Sequence, residues 1–395
     1  SPDAPNVDIY ARGVALPLLT NVPYGAAATL RVAPGAYTLD IRAAGAPATD
    51  PPALTADITL AAGKGYAAVA AGFLASTDEA DRIRILPLEV DFGAPSGAQA
   101  QVRVLHAGAD APAVDIDVGG DGSPEITALG RFQATPAEGV ALPGDAPLAL
   151  AVWAGGSRVT SFTTPALGDG KRLLAIATGS FGFRPGAAQG FKLLAAYTDD
   201  TTAFIAQDPQ VYVLHASPDA PAVDVFAGDA RVVAGAAYPA LAGPVQVPPG
   251  SYALDIFAAS DGPRPASDPV FTVEANGLVA GGRYLAMATG FLAPAQGQPA
   301  FDVLVVEDGF DQPAAGTASI RFIHAAPGVN VAVDVGPVQA GMLTGAAFSN
   351  VAFGESSEPG GLALPEGPLS VGVAATGSTQ ALVTFSGVPM AGRAY

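Results

Sequence analysis

One segment recurs along the chain and limits its fold more than any other feature. Its fullest copy, Val211 to Phe226, reads Val-Tyr-Val-Leu-His-Ala-Ser-Pro-Asp-Ala-Pro-Ala-Val-Asp-Val-Phe, and further copies lie at Val102 to Val118, at Ile320 to Val335 and, without the first strand, at Ser1 to Tyr10. All three histidines of the protein occupy one position of this motif, 109 residues apart. That period is too long for a solenoid repeat and suits an independent domain. The chain therefore repeats one domain about four times.

The repeats predict four domains, at residues 1–98, 99–207, 208–316 and 317–395. Short alternating segments separated by Gly/Pro turns follow each motif in the same order, as at Pro249-Gly250 and then Tyr252 to Phe257. This pattern predicts an all-β protein, a tandem array of four Ig-like antiparallel β-sandwich domains. A single closed sheet fits less well, because nothing in the pattern requires closure.

The first and last repeats are expected to be incomplete. Repeat one has no counterpart of the strand Val211 to His215. Repeat four reaches only Gly392 to Tyr395, the point at which repeat three continues into the apolar segments Tyr284 to Gly290 and Phe301 to Val306. Open sandwiches expose strand edges and apolar core. Such edges are covered either by further residues of the same protein or by a strand from a neighbouring chain.

The motif itself predicts a rigid corner between two strands. The period of two places His215 at the end of the core-facing row, prolines then fix the backbone, and Asp219 is expected to form an Asx turn. Over the repeats, the predicted corner residues are His106, His215, His324, Asp8, Asp115, Asp224, Asp334, Pro5, Pro112 and Pro221. A functional interpretation makes the histidine and aspartates a metal or acid/base cluster. A structural interpretation, which we favour, has the imidazole bonded to the corner itself, because buried polar groups are normally satisfied locally.

The motif also carries a family resemblance. His-Ala-Ser-Pro-Asp-Ala-Pro-Ala-Val-Asp-Val, at His215 to Val225, resembles the signature of the bacterial family DUF4397, a domain of unknown function. Pro-Gly-x-Tyr-x-Leu-Asp-Ile, at Pro249 to Ile256, is also similar to that family. The resemblance is good in repeats one and two and degraded in repeat four. It implies exported, cell-surface or extracellular β-sandwich modules, often in tandem, and it brings no catalytic residues with it.

One acidic segment in repeat two is a candidate cation site. Asp115, Asp117, Asp121 and Glu125 resemble a loose calcium loop, since hard cations bind several oxygens from one flexible segment. Their spacing differs from that of an EF-hand, and the other repeats lack the segment. A solvated acidic turn is the alternative interpretation.

Charge and composition exclude several classes of function. The formal net charge of −18 disfavours nucleic acids and anionic membranes, no cysteine is present, and no segment reaches the ~18 apolar residues of a membrane span. No motif of a known enzyme class stands out, so we expect no enzyme and no cofactor apart from the candidate calcium. The favoured hypothesis is a non-catalytic structural protein of the bacterial cell surface or exterior, a subunit of a surface fibre or layer, with self-association or other surface components as partners. The alternative is an adhesin or a carbohydrate- or peptide-binding module that uses the loops at the sandwich ends.

Overall fold

The computed structural model describes residues 1–310 and 313–390. Every regular element in these two ranges is a β-strand, and they contain no helix of the length and hydropathy needed to cross a membrane. The prediction of an all-β tandem sandwich fold is confirmed. The segment Gly392 to Tyr395, where repeat four was expected to stop, lies outside the described residues.

The strands fall between the predicted repeat boundaries. Repeat one contains β1 (Val7–Ala11), β2 (Leu19–Val22), β3 (Gly35–Ala43), β4 (Leu54–Leu60), β5 (Gly65–Ala71) and β6 (Arg84–Val90). Repeat two contains β7 (Gln99–His106), β8 (Val114–Val118), β9 (Ile126–Leu129), β10 (Val140–Pro143), β11 (Ala149–Ala154), β12 (Ser157–Thr163), β13 (Arg172–Thr178), β14 (Lys192–Tyr197) and β15 (Thr202–Ala206). Repeat three contains β16 (Gln210–His215), β17 (Val223–Ala227), β18 (Ala230–Ala236), β19 (Leu241–Gln246), β20 (Gly250–Ala258), β21 (Phe271–Leu278), β22 (Arg283–Thr289) and β23 (Asp302–Glu307). Repeat four contains β24 (Thr317–Ile320), β25 (Val333–Gln339), β26 (Met342–Leu343), β27 (Phe348–Val351), β28 (Leu362–Pro365), β29 (Leu369–Ala375) and β30 (Val383–Gly387).

Repeats two and three share one topology of two sheets, except that β15 adds a fifth strand to one sheet of repeat two. The sheet that begins with the motif strand, called the A sheet here, has the order β10-β7-β13-β14-β15 in repeat two and β19-β16-β22-β23 in repeat three. The other sheet, the B sheet, has the order β12-β11-β8-β9 or β18-β17-β20-β21. Apolar residues of both sheets meet in one core, including Val102, Leu173 and Phe162 in repeat two. Alternation along the strands places these side chains between the sheets.

The central pair of each complete A sheet is parallel. The motif strand β7 pairs in parallel with β13, and β16 pairs in parallel with β22, whereas the remaining pairs are antiparallel. The sheets are thus mixed, a detail that the expectation of antiparallel sheets did not include. A parallel pair requires a long crossover, and here the crossover contains the whole B sheet together with the A-sheet strand β10 or β19.

The first and last repeats have complete B sheets and two-stranded A sheets. In repeat one, β2-β1-β3-β4 form the B sheet, and β6 is the one partner of β5 among the described residues. In repeat four, β25, β29 and β30 form the B sheet with β26 and β27, and β28 is the one described strand that pairs with β24. Within the described residues, the A sheet of repeat one thus has no motif strand. That of repeat four has the motif strand but no counterparts of β22 and β23.

The four repeats form two compact units, Ser1–Asp208 and Pro209–Tyr395, each containing two repeats. In the first unit the hairpin of β5 and β6 packs on the outer face of the A sheet of repeat two, where Val69 and Leu88 join Leu105, Leu174 and Ile176 in one apolar cluster. In the second unit the two repeats are joined in part by a hydrogen bond of 2.9 Å from Thr289 Oγ1 to the Ala325 carbonyl. The A sheets therefore join neighbouring repeats as well as closing each sandwich.

Candidate functional site

Each histidine of the motif is buried and bonds to the backbone of its own corner. The ring Nε2 lies near a carbonyl oxygen six or seven residues further along the chain, with distances of 2.8 Å from His106 to Pro112, 2.9 Å from His215 to Pro221 and 3.2 Å from His324 to Val331. Because a carbonyl oxygen only accepts, each Nε2 donates its proton to that oxygen. Burial lowers the pKa of His106 and so favours its neutral form. These contacts agree with the structural interpretation of the corner.

The first aspartate of the motif connects the corner to a distant loop. Asp219 accepts hydrogen bonds from the amides of Leu292 at 2.8 Å and Ala293 at 2.9 Å, 73 and 74 residues further along the chain. The expectation of a local Asx turn did not include these distant donors. The two bonds hold the pKa of the Asp219 carboxyl below its usual value. The counterparts of Asp219 make the same pair of bonds at 2.8 to 2.9 Å. Asp3 accepts from the amides of Leu74 and Ala75, and Asp110 accepts from those of Phe181 and Gly182.

A glycine at the end of the partner strand allows this loop to approach the corner. The buried Ser217 donates to the carbonyl of Gly290 at 2.9 Å. Gly290 has φ +77°, and a Cβ there would lie 2.0 Å from the Ala300 carbonyl oxygen, so only glycine fits. The counterparts Gly72 and Gly179 also have positive φ and leave 2.6 and 2.3 Å for a Cβ. Sequence reasoning did not identify this loop, although a glycine recurs there in three repeats.

The second aspartate of the motif binds a β-bulge in every repeat. Each of these aspartates lies where the register between its strand and the next one shifts. The amide that it binds belongs to a residue with φ between +51° and +60° on that next strand. The bonds are Asp8 to Asn21 at 2.7 Å, Asp115 to Ala128 at 2.7 Å, Asp224 to Gly235 at 2.7 Å and Asp334 to Asn350 at 2.8 Å. A bulge leaves one residue out of the ladder, and the carboxylate supplies the missing acceptor.

Three of these carboxylates hold a second loop as well. Their other oxygen accepts from the amides of Gly45, Ser260 and Gly377 at 2.9 to 3.1 Å. These amides lie in the turn after β3, β20 or β29, the strand that pairs with the aspartate's strand on the side away from the bulge. The bond from the bulge amide, and after it the bond from this turn, lower the pKa values of Asp8 and Asp334. The second aspartate therefore holds together two loops of the B sheet, and the first joins the corner to the A sheet.

The candidate cation residues are used in the same way. Asp117 is fully buried and accepts from the amides of Gly120 at 3.0 Å and Gly122 at 2.9 Å, which closes the turn after β8. Glu125 accepts from the Val118 amide at 2.7 Å, and Asp121 accepts from the Ser123 amide at 2.9 Å. Asp115 binds the bulge as described above. The four residues do not form a group that could hold a metal ion, and no three His, Asp or Glu side chains in residues 1–310 and 313–390 do so.

The arrangement leaves the corner with little chemistry to perform. Its carboxylates accept from backbone amides, and its imidazoles donate to backbone carbonyls. The Nδ1 atoms of His106 and His215 have no hydrogen-bond partner in the described structure, but both rings are almost completely buried, at 1% and 0% exposure. A general base has to reach a substrate proton, and these nitrogens do not reach the surface.

Comparison with family models identifies a family for most of the chain. The model of a family described as a domain of unknown function, DUF4397, matches residues 1–117 and 209–336. Comparison with curated proteins finds no match. Among solved structures, the chain is similar to the Bacillus anthracis TIE protein at 9% sequence identity and a TM-score of 0.17, with 98% of this chain and 65% of that chain covered. The chain thus spans about two thirds of the length of that protein.

Proposed function

The chain belongs to the DUF4397 family of domains of unknown function, and we propose that it is a non-catalytic structural protein of the bacterial cell exterior. In this proposal its tandem sandwiches are building units of a surface fibre or layer, with strands supplied between subunits. The observation that carries the proposal is the use of the motif. The residues that could have formed an active site, such as His215, Asp219 and Asp224, bind the backbone of their own repeat.

A further observation supports a building role. The first aspartate of the motif in repeats one to three joins segments more than 70 residues apart in the sequence, and the protein has no cysteine that could make such a tie. In the proposal, donated strands would join the repeats of neighbouring subunits, since strand donation is a known route to stable fibres.

Microscopy and sedimentation of the native material test the proposal. We expect negative-stain images to show filaments or sheets, and sedimentation velocity to show association that increases with protein concentration. Surface proteolysis of intact cells should remove the protein if it is exposed outside. A monodisperse monomer at high concentration, together with an intracellular location, would contradict the proposal.

A binding module is the second candidate function. An aromatic residue recurs in all four repeats, at Tyr24, Phe132, Tyr238 and Phe353, as expected of a repeated binding surface. In the first unit these rings are already occupied, since Tyr24 packs 5.0 Å from Phe204 and Phe132 lies 4.5 Å from the guanidinium of Arg84. We therefore rank this function second. A glycan and peptide array without reproducible binding would count against it.

A further inference from the structure

One asparagine of the chain precedes a glycine, and the other asparagines all precede valine. The pair Asn276-Gly277 lies in β21 of repeat three, and the remaining asparagines are Asn6, Asn21, Asn330 and Asn350. An asparagine side chain can react with the backbone nitrogen of the next residue, and a β-carbon on that residue obstructs the approach. Glycine has no β-carbon. The sequence therefore contains a single asparagine at which this reaction meets no such obstacle.

The pair Asn276-Gly277 forms a β-bulge in the B sheet of repeat three. Ser251 of β20 lies between two ladder pairs whose partners on β21 are Ala275 and Leu278, so one residue faces two. A bulge leaves its extra residue out of the ladder and disrupts the strand locally. Among the described residues β21 is also an edge strand of its sheet. The ladder therefore restrains the pair less than it restrains the rest of the strand.

Both residues of the pair are exposed, and the glycine has a left-handed backbone conformation. Gly277 has φ +68°, and a Cβ built there would have no described atom beyond its chain neighbours within 4 Å. Its amide donates to Oγ of Ser251 at 3.1 Å, at an exposed position where water can replace that hydroxyl. The nitrogen that would react thus lies at the surface beside the Asn276 side chain.

Two other asparagines provide natural controls within the same chain. Asn21 and Asn350 are exposed and lie in the bulges opposite Asp8 and Asp334. They share with Asn276 the amide side chain, the exposure and the irregular strand, and they differ from it in the residue that follows, which is valine. Any difference in reactivity between these positions therefore reports the effect of the glycine.

We propose that Asn276 is a site of spontaneous covalent modification, at which the asparagine is converted to aspartate and isoaspartate through a cyclic imide. The Gly277 nitrogen gives up its proton and forms a bond to Cγ of Asn276, while the bond from Cγ to Nδ2 breaks and Nδ2 leaves with that proton as ammonia. Water then opens the imide. Opening at Cγ gives aspartate, and opening at the main-chain carbonyl carbon gives isoaspartate, in which the chain runs through Cβ and Cγ. The reaction uses no oxidant and no enzyme.

The isoaspartate product changes β21 next to the core of repeat three. Its main chain is longer by one methylene group, which displaces the Gly277 amide from the Ser251 hydroxyl. The following residue, Leu278, is 4% exposed and belongs to the hydrophobic core. Both products also add a negative charge on the outward row that already carries Glu274. Modification therefore loosens the end of β21 as the protein ages, whether or not the chain assembles into a fibre.

Ageing of the 395-residue chain tests the site. The folded protein is incubated in a mildly alkaline buffer, digested, and mapped by mass spectrometry with separation of isoaspartate from aspartate. We expect both products at Asn276, formed more than about tenfold faster than at Asn21 or Asn350, because glycine leaves the nitrogen open to approach. Asn276→Gln keeps the amide and the bulge glycine but lengthens the side chain, which disfavours ring closure. This variant should stay unmodified.

The same chain unfolded in denaturant is the reference for the effect of the fold. We expect the folded protein to react within about tenfold of the unfolded rate, since the bulge lies outside the regular ladder. Modification confined to the unfolded chain, or equally fast at Asn21, overturns the proposal, and aspartate without isoaspartate overturns the imide route. Hydrogen exchange of the aged protein should show reduced protection of the Leu278 amide. Unchanged protection overturns the structural consequence.

Discussion

Replacing His215 tests the interpretation of the corner most directly. The ring is fully buried and donates to the Pro221 carbonyl at 2.9 Å. His215→Ala leaves that carbonyl without its donor, at a cost of about 1–3 kcal/mol. It also opens a cavity, and large-to-small core changes typically cost about 2–4 kcal/mol. These two costs sum to about 3–7 kcal/mol, and because neighbouring groups relax in part, we expect the opening free energy of repeat three to fall by about 3–5 kcal/mol.

A second substitution separates the hydrogen bond from the packing. His215→Leu keeps most of the side-chain volume and removes the donor, so it should cost only the first term, about 1–3 kcal/mol. Tyr238→Ala serves as the control, because that ring makes an edge contact with the imidazole at 6.4 Å and is half exposed. We expect about 1 kcal/mol or less for that change.

Native-state hydrogen exchange is the appropriate assay. A chain of several domains does not unfold in two states, whereas exchange reports the opening of each segment separately. The amides of β16 and β22 should exchange faster in His215→Ala, and those of β7 and β13 in repeat two provide a reference within the same molecule. If β16 and β22 keep their wild-type protection, or if the variant instead loses a bound ion or ligand, the structural interpretation of the motif is wrong.

Three further predictions follow from the loops and carboxylates around the corner. Gly290→Ala should destabilise repeat three by more than about 1 kcal/mol beyond any effect of the control Gly297→Ala, because both glycines have positive φ but only a Cβ at Gly290 meets a neighbour. Equal unfolding midpoints for the two variants would contradict the close approach at Gly290. The lowered pKa of Asp219 means that this carboxylate stabilises the folded repeat fully above its unfolded pKa of about 3.9, and that the stabilisation is lost as pH falls through the lower folded value. Asp219→Asn should therefore reduce the loss of stability in acid, as measured by hydrogen exchange in repeat three. Because the Asp117 carboxylate binds backbone amides, Asp117→Ala should lower the melting temperature, whereas calcium or a chelator should not change it. A melting temperature that depends on calcium would refute this role of Asp117.

Much of the fold could be predicted because the motif repeats. Alternation along Val211 to His215 placed the histidine on the core-facing row, and the buried ring confirms that prediction. The partners of the aspartates could not be predicted in the same way. Asp219 binds amides 73 and 74 residues away, and side-chain pattern carries no information on which backbone amide lacks a partner. The bulges opposite Asp8 and Asp334 could not be predicted from the pattern either, although asparagine, which tolerates positive φ, occupies both of them.

The pairing of repeats within each unit is indicated by strands that are apolar on both faces, a pattern that the alternation rule does not use. The strand β13 reads Leu173-Leu-Ala-Ile-Ala177, apolar on both faces, and its outward residues Leu174 and Ile176 pack against repeat one. A run of this kind is typical of a strand that is parallel to a neighbour and buried on both faces, and β13 meets both conditions. The same reasoning applies to Tyr284-Leu-Ala-Met-Ala288, where Met287 is 2% exposed. An apolar run without alternation therefore signals that a sheet has a second partner, but it does not identify the partner.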